Sequence, residues 1–273
     1  MDIKASALLL FSPTGTSHKI AMAVADGVRC TPHLMNATYE SVGNISYDAH
    51  TLVFFAVPVY GGKVAPLALK RLEAVRGNNT PAVLMVVYGN RAFEGAAVEL
   101  DAFVRERGFV PIAAGAFIGE HSYNTAKHHI AAGRPDMNDL SKARMWGRDI
   151  RKKLSNIERA EPVDVTRLKK PHNSLFSQLR FILFVMQQRR KSASQKPRIK
   201  VDRLVCKKCG KCVRLCPSGA ITREDCMNTQ HDLCIKCCAC VKGCPAHARK
   251  LKTPYASILS KCFGKPKYQT TIL

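Results

Sequence analysis

The first 156 residues alternate short apolar runs with amphipathic stretches. Residues 5–11, 51–57, 81–88 and 111–117 are apolar almost throughout and bounded by turn residues, which predicts strands buried on both faces of a parallel sheet. A weaker strand is expected over 30–36. Residues 16–27, 64–76, 91–108 and 138–156 read as helices; in the first, Ile20, Ala23 and Val24 share one face and Gly27 is the expected stop. Strands alternating with helices in this way predict a doubly wound α/β domain. Beyond it the pattern decays. Residues 157–197 are punctuated by Glu161-Pro162, Lys169-Lys170-Pro171 and Lys196-Pro197, and contain one apolar stretch with polar breaks, 175–186. As a helix this stretch is too short to span a bilayer. Two roles compete for it: packing across two domains to fix their separation, which is favoured, or lying on an anionic membrane surface.

At 273 residues the chain is long enough for one sizeable core and a smaller module. Its formal net charge of +23 is unevenly spread. Residues 1–150 carry 15 Lys and Arg against 13 Asp and Glu, whereas residues 151–273 carry 28 against 7. A basic half points to an acidic partner, and steering of that kind speeds encounter. No nucleic-acid motif accompanies the charge, so nucleic acid is not the expected partner. The apolar run 5–11 is short and leads into a Ser-Pro-Thr-Gly turn, unlike a secretory signal. Twelve cysteines without such a signal point to metal chemistry in a reducing cytoplasm.

Eight of those cysteines form two copies of one spacing. Cys206, Cys209, Cys212 and Cys216-Pro217 are followed by Cys234, Cys237, Cys240 and Cys244-Pro245, each reading C-x2-C-x2-C-x3-C-P. Residues 198–252 thereby resemble the bacterial two-cluster ferredoxins, in which this run holds [4Fe–4S] clusters. The resemblance implies that each fourth cysteine crosses over. One cluster would take Cys206, Cys209, Cys212 and Cys244, and the other Cys234, Cys237, Cys240 and Cys216. A structural zinc site and a disulfide framework are the competing readings, and neither matches a duplicated run ending in Cys-Pro. Cys238 would break the spacing if it replaced Cys237. Cys226, Cys30 and Cys262 fall outside the pattern.

The N-terminal domain carries a second candidate site on its loops. Ser12-Pro13-Thr14-Gly15-Thr16-Ser17 follows the first strand and opens the first helix, where hydroxyls and backbone N–H groups can cradle a phosphate. It lacks the Gly-Lys of a nucleoside-triphosphate loop. It resembles the phosphate loop of flavodoxins, with Thr16 where many of them have Asn. The resemblance covers about residues 3–155 and implies FMN. Pro58-Val59-Tyr60-Gly61-Gly62, after the strand 51–57, and Gly89, Asn90, Arg91 and Phe93, after the strand 81–88, stand where flavodoxin-like proteins hold the isoalloxazine ring. Tyr60 is the expected stacking aromatic, with Tyr88 or Phe93 as the second.

Joined, the two halves resemble bacterial fusions of a flavodoxin-like domain with a small α+β two-cluster ferredoxin domain. The expected layout is a flavodoxin-like domain over 1–156, a basic linker over 157–197, a ferredoxin domain over 198–252 and a basic tail over 253–273. The implied role is electron transfer between two [4Fe–4S] clusters and FMN, with an acidic redox protein as partner and peripheral membrane contact as a further possibility. One alternative is an FMN-dependent reductase of a small molecule, with His121, Tyr123 or Arg91 lining its site. Another is a cluster-based sensor.

Overall fold

The computed structural model describes residues 1–190 and 197–273; Lys191 and Lys196 of the basic linker lie outside them. The N-terminal pattern folds as β1 (Ala5–Leu10), α1 (Thr16–Val28), β2 (His33–Asn36), β3 (Ser46–Tyr47), β4 (Thr51–Tyr60), β5 (Lys63–Val64), α2 (Pro66–Leu72), β6 (Arg76–Gly77), β7 (Thr80–Tyr88), α3 (Ala96–Arg105), β8 (Phe109–Ile118) and α4 (Met137–Asn156). Five strands pair in parallel in the order β8-β7-β4-β1-β2. This is the flavodoxin-like doubly wound order, and its switch point lies between β1 and β4. β7 is buried along its whole length and β4 from Leu52 to Val57, which is why both read as unbroken apolar runs without alternation. Each fully buried Val, Leu or Phe there contributes about 1.5–3 kcal/mol.

Local chemistry moves several boundaries from those expected. Gly27 does not stop α1, which runs one residue further and is closed by left-handed Arg29. Its absent side chain serves packing: a Cβ on Gly27 would lie 2.0 Å from the Arg144 carbonyl oxygen, and one on Gly147 would lie 2.2 Å from that of Val24. α1 and α4 therefore cross backbone to backbone. α3 begins five residues late because Asn90 and Glu94 both adopt positive φ, ending any helical start. The segment 58–62, expected as a loop, is the end of β4 and a tight hairpin to β5. Its two turn residues, Gly61 and Gly62, have φ of 62° and 88°, as a type I′ turn requires. α4 opens on a capping box between Asp136 and Asp139.

The chain divides into two compact units that do not follow sequence order. The first comprises Met1–Glu120, Gly133–Pro171 and Lys267–Leu273; the second comprises His121–Ala132 and His172–Pro266. The second holds α5 (Leu175–Arg189), β9 (Arg198–Val201), α6 (Lys211–Arg214), α7 (Ala239–Lys242), β10 (Arg249–Lys252) and α8 (Tyr255–Phe263). β9 and β10 pair antiparallel. Phe181 and Phe184 of α5 meet Phe263 and Tyr255 of α8 edge to face, over a small core with Ile130 and Leu259. α5 thus packs within its own unit. Its opposite side leaves Leu175, Phe176, Leu179, Ile182, Leu183 and Met186 half exposed or more.

Residues 253–273 are not the basic tail the charge pattern implies. They contain α8, and after it β11 (Thr270–Ile272) pairs antiparallel with β8 of the first unit, Thr270 opposite Ala116 and Ile272 opposite Ala114. The strand covers an edge of the sheet that would otherwise present unpaired backbone groups. Among the described residues no helix is long and apolar enough to cross a membrane.

Candidate functional site

The two cysteine runs repeat in three dimensions as well as in sequence. Corresponding residues lie 28 positions apart. Lys208 and Lys236 both have positive φ, as do Gly210 and Cys238, and Gly219 and His247. The short helices α6 and α7 begin after the matching left-handed residues Gly210 and Cys238. Left-handed turns at fixed places let a short loop present several thiols without a regular element to carry them. Cys238 is therefore the counterpart of a glycine, and its side chain is 2% exposed, with its thiol toward the Lys236 carbonyl.

All twelve cysteines are free thiols. Cys212, Cys216, Cys226, Cys234 and Cys240 gather around Ile199 and Ile221 in one small core. Burial pushes the Cys237 thiol up to about 12 and that of Cys240 up to about 11, because a thiolate is costly to hold in apolar surroundings. Such thiols stay protonated until a metal replaces the proton. Burial acts on Cys244 too, but backbone N–H groups of Ala248, Ala246 and Arg249 bring its pKa below the ordinary value. Among the described residues no three His, Cys, Asp or Glu side chains are gathered as around a single ion. A cluster, in contrast, spreads its thiolates over separate irons. The donor set, eight soft thiols in two equal loops, fits iron–sulfur ligation better than one closed zinc site.

The loops named from sequence in the first unit all leave the carboxyl ends of parallel strands. At the N-terminus of α1, the N-cap Gly15 has φ of 78° and no heavy atom within 4 Å of where its Cβ would be. The Ser12 hydroxyl accepts from the His18 N–H at 3.2 Å, and the Thr14 and Thr16 hydroxyls lie 3.2 Å apart. This open cradle of hydroxyls and first-turn amides at a helix start can accept an oxyanion. Thr38 holds it in place, taking the Ser12 N–H on its hydroxyl at 2.8 Å. Arg71 in turn donates to the carbonyls of Ala37 and Thr38. Neither Thr38 nor Arg71 was marked by the sequence, since each acts through the fold and not through a local motif.

The β4–β5 hairpin, with Pro58, Val59 and Tyr60 leading into Gly61 and Gly62, is tied to the loop after β7. Gly95 donates to the Gly62 carbonyl at 3.1 Å, and the Glu94 carboxylate, paired with Arg91, fills the place a Gly62 side chain would take. Tyr60 is partly exposed on this hairpin. Tyr88 and Phe93, the expected second aromatic, are turned into the core instead: they are 1% and 2% exposed and meet each other at 5.6 Å. The Tyr88 hydroxyl donates to the Tyr268 carbonyl at 3.0 Å, and buried Asn90 takes the Lys267 N–H on its side-chain oxygen at 3.1 Å. The C-terminal segment thus props the loop carrying Gly89, Asn90 and Arg91. His121 and Tyr123 belong to the second unit. Burial, followed by the nearby cysteines, raises the Tyr123 phenol far above its usual range, and the side chain packs beside Ile130 and Phe263.

Residues 199–222 match the family model described as a 4Fe-4S binding domain (Fer4). This stretch contains the first cysteine run. No curated protein matches the chain. Among solved structures, a flavodoxin from the domain Archaea is similar over 55% of this chain and 98% of its own, at 13% identity and a TM-score of 0.35. A flavodiiron protein from Giardia intestinalis shares 20% identity over 56% of this chain, at a TM-score of 0.35. A flavodiiron core from Synechocystis shares 18% identity over 57%, at 0.37. This chain spans 36% and 37% of those two proteins. The flavodoxin-like fold rests on the strand order itself, and a small cysteine-rich ferredoxin-like unit accompanies it.

Proposed function

We propose that this protein is an electron-transfer flavo-iron–sulfur protein with two [4Fe–4S] clusters and one FMN. The observation that carries the reading is the duplicated cysteine run, repeated at an offset of 28 with the same left-handed turns. Cys206, Cys209, Cys212 and Cys244 would hold one cluster, and Cys234, Cys237, Cys240 and Cys216 the other. When bound, the clusters exchange single electrons and the flavin one or two, so together they link one-electron and two-electron couples. The loop Ser12, Thr14, Gly15, Thr16 and Ser17 would hold the flavin phosphate through its hydroxyls and the amides opening α1. Pro58, Val59, Tyr60, Gly61, Gly62, Gly89, Asn90 and Arg91 would border the ring, with Tyr60 against its face. Phe93 supports that loop from the core. The surplus of positive charge over 151–273 suits an acidic redox protein in the cytoplasm.

Anaerobic purification with iron, sulfide and flavin measured per chain tests this directly. About eight iron and one FMN are expected from two four-iron clusters. Four iron, or zinc in place of iron, would overturn the two-cluster reading, and a full complement of iron without flavin would overturn the FMN site.

A further inference from the structure

The duplication breaks at one buried position. Cys216-Pro217 is followed by Ala220-Ile221, and Cys244-Pro245 by Ala248-Arg249. Both terminal residues are 3% exposed. Where the first copy buries an aliphatic side chain against Cys240, the second therefore buries a guanidinium against Cys212, the counterpart of Cys240. One Arg249 terminal nitrogen donates to the Cys226 carbonyl at 2.8 Å and points at the Cys212 sulfur at 3.6 Å. The other reaches the Asn228 carbonyl at 3.5 Å and the Thr229 hydroxyl. The Nε, buried as well, has no hydrogen-bond partner. Among the described residues the ion pairs include no carboxylate with Arg249.

A guanidinium cannot neutralise itself by losing a proton, so burial without an anion is costly. Carbonyl oxygens and a hydroxyl offset part of that cost, but bring no net charge. The groups near Arg249 that can become anions are the cysteines: Cys212 at its tip, Cys244 five residues before it, and Cys240, whose sulfur it also reaches, so two of its neighbours belong to one cluster and one to the other. Thiolates bound to a cluster supply negative charge that grows when the cluster is reduced. A buried cation with N–H groups directed at sulfur favours the more reduced, more negative state and so raises the reduction potential.

From this asymmetry we infer that Arg249 makes the two clusters unequal, holding the one ligated by Cys212 and Cys244 at a higher potential than its twin beside Ile221. The inference rests on the two-cluster reading and assigns an order to the pair: of the two, an electron settles on the cluster next to Arg249. Arg249 is a tuning residue and ligates no iron.

The test is a potentiometric titration of the full-length holoprotein followed by electron paramagnetic resonance, with iron counted on the same samples. Wild-type protein is expected to show two one-electron waves. Arg249→Ile, which copies the first repeat, should lower one wave by at least tenfold in its equilibrium, 59 mV for a one-electron couple, and move the other by less. Arg249→Lys, which keeps the charge, should fall between the two. If Arg249→Ile fails to take up eight iron, Arg249→Gln, which keeps donors for the carbonyls without the charge, is expected to show the same downward shift. Unmoved waves, or two waves moving equally, in a neutral variant with full iron would overturn the inference. So would loss of iron in both neutral variants with retention in Arg249→Lys, since Arg249 would then be needed for assembly. Four iron in the wild type would instead defeat the two-cluster reading, whatever Arg249 does.

Discussion

At the scale of single residues, the adjacent pair Cys237 and Cys238 is separated by spacing and by backbone, and both favour Cys237 as the proposed ligand. Spacing alone prefers Cys237, which completes the second run. The backbone adds an independent reason, because Cys238 has φ of 62° at the position where the first copy has Gly210. A non-glycine residue is strained in that region, so glycine should be tolerated there. Cys238→Gly is therefore expected to keep all its iron, whereas Cys237→Ser should lose about half of eight, one four-iron cluster. Iron per chain after anaerobic purification checks both. Full iron in Cys237→Ser together with loss in Cys238→Gly would reverse the assignment.

Elements were legible where one physical signal dominated them. The core strands announced themselves as apolar runs because both faces are covered, and α4 because its cap and its apolar face agree. The turn of Ser and Thr that opens α1 was legible because its residues are consecutive. Features that depend on distant partners were not. Nothing in the neighbourhood of Gly27 tells a helix stop from a crossing point with Gly147. Tyr88 and Phe93 looked like ring-facing aromatics until their packing against each other was visible. α5 is an instructive middle case: its apolar character was plain, but it serves two faces. Phe181 and Phe184 face α8, while Leu179, Ile182, Leu183 and Met186 form an outward stripe. On a helical projection Arg180 and Arg189 flank that stripe, the arrangement of a helix that lies in a membrane interface. Flotation with vesicles of anionic phospholipid should recover the protein at low salt and lose it as salt rises. Leu179→Gln combined with Ile182→Gln should weaken recovery by about a hundredfold or more, given roughly 1.5–3 kcal/mol for each large apolar side chain when fully buried. No flotation at low salt would return the stripe to a protein partner.

For the whole molecule, the informative departure is that the units are not consecutive in sequence. A reading by composition cuts the chain once per domain, and three residues of Thr-Thr-Ile carry no periodic signal that could join the end to the beginning. Ending the chain at Pro266 would remove β11 along with the Lys267 and Tyr268 backbone groups that hold Asn90 and Tyr88. Such a truncation is expected to lower the melting temperature by several degrees, as a loss of about 1–2 kcal/mol does in a domain of this size. It should also release flavin more readily while leaving the iron content unchanged. Calorimetry, flavin fluorescence and an iron assay on one preparation separate these effects. The same topology has a temporal side. As the ribosome delivers the chain, the parallel strands β1 to β8 emerge before the strand that seals their outer edge, which follows all twelve cysteines. Until then β8 stands open to pairing with a neighbouring chain. The outer edge of the flavodoxin-like sheet is therefore closed only after the cysteine-bearing unit has been translated.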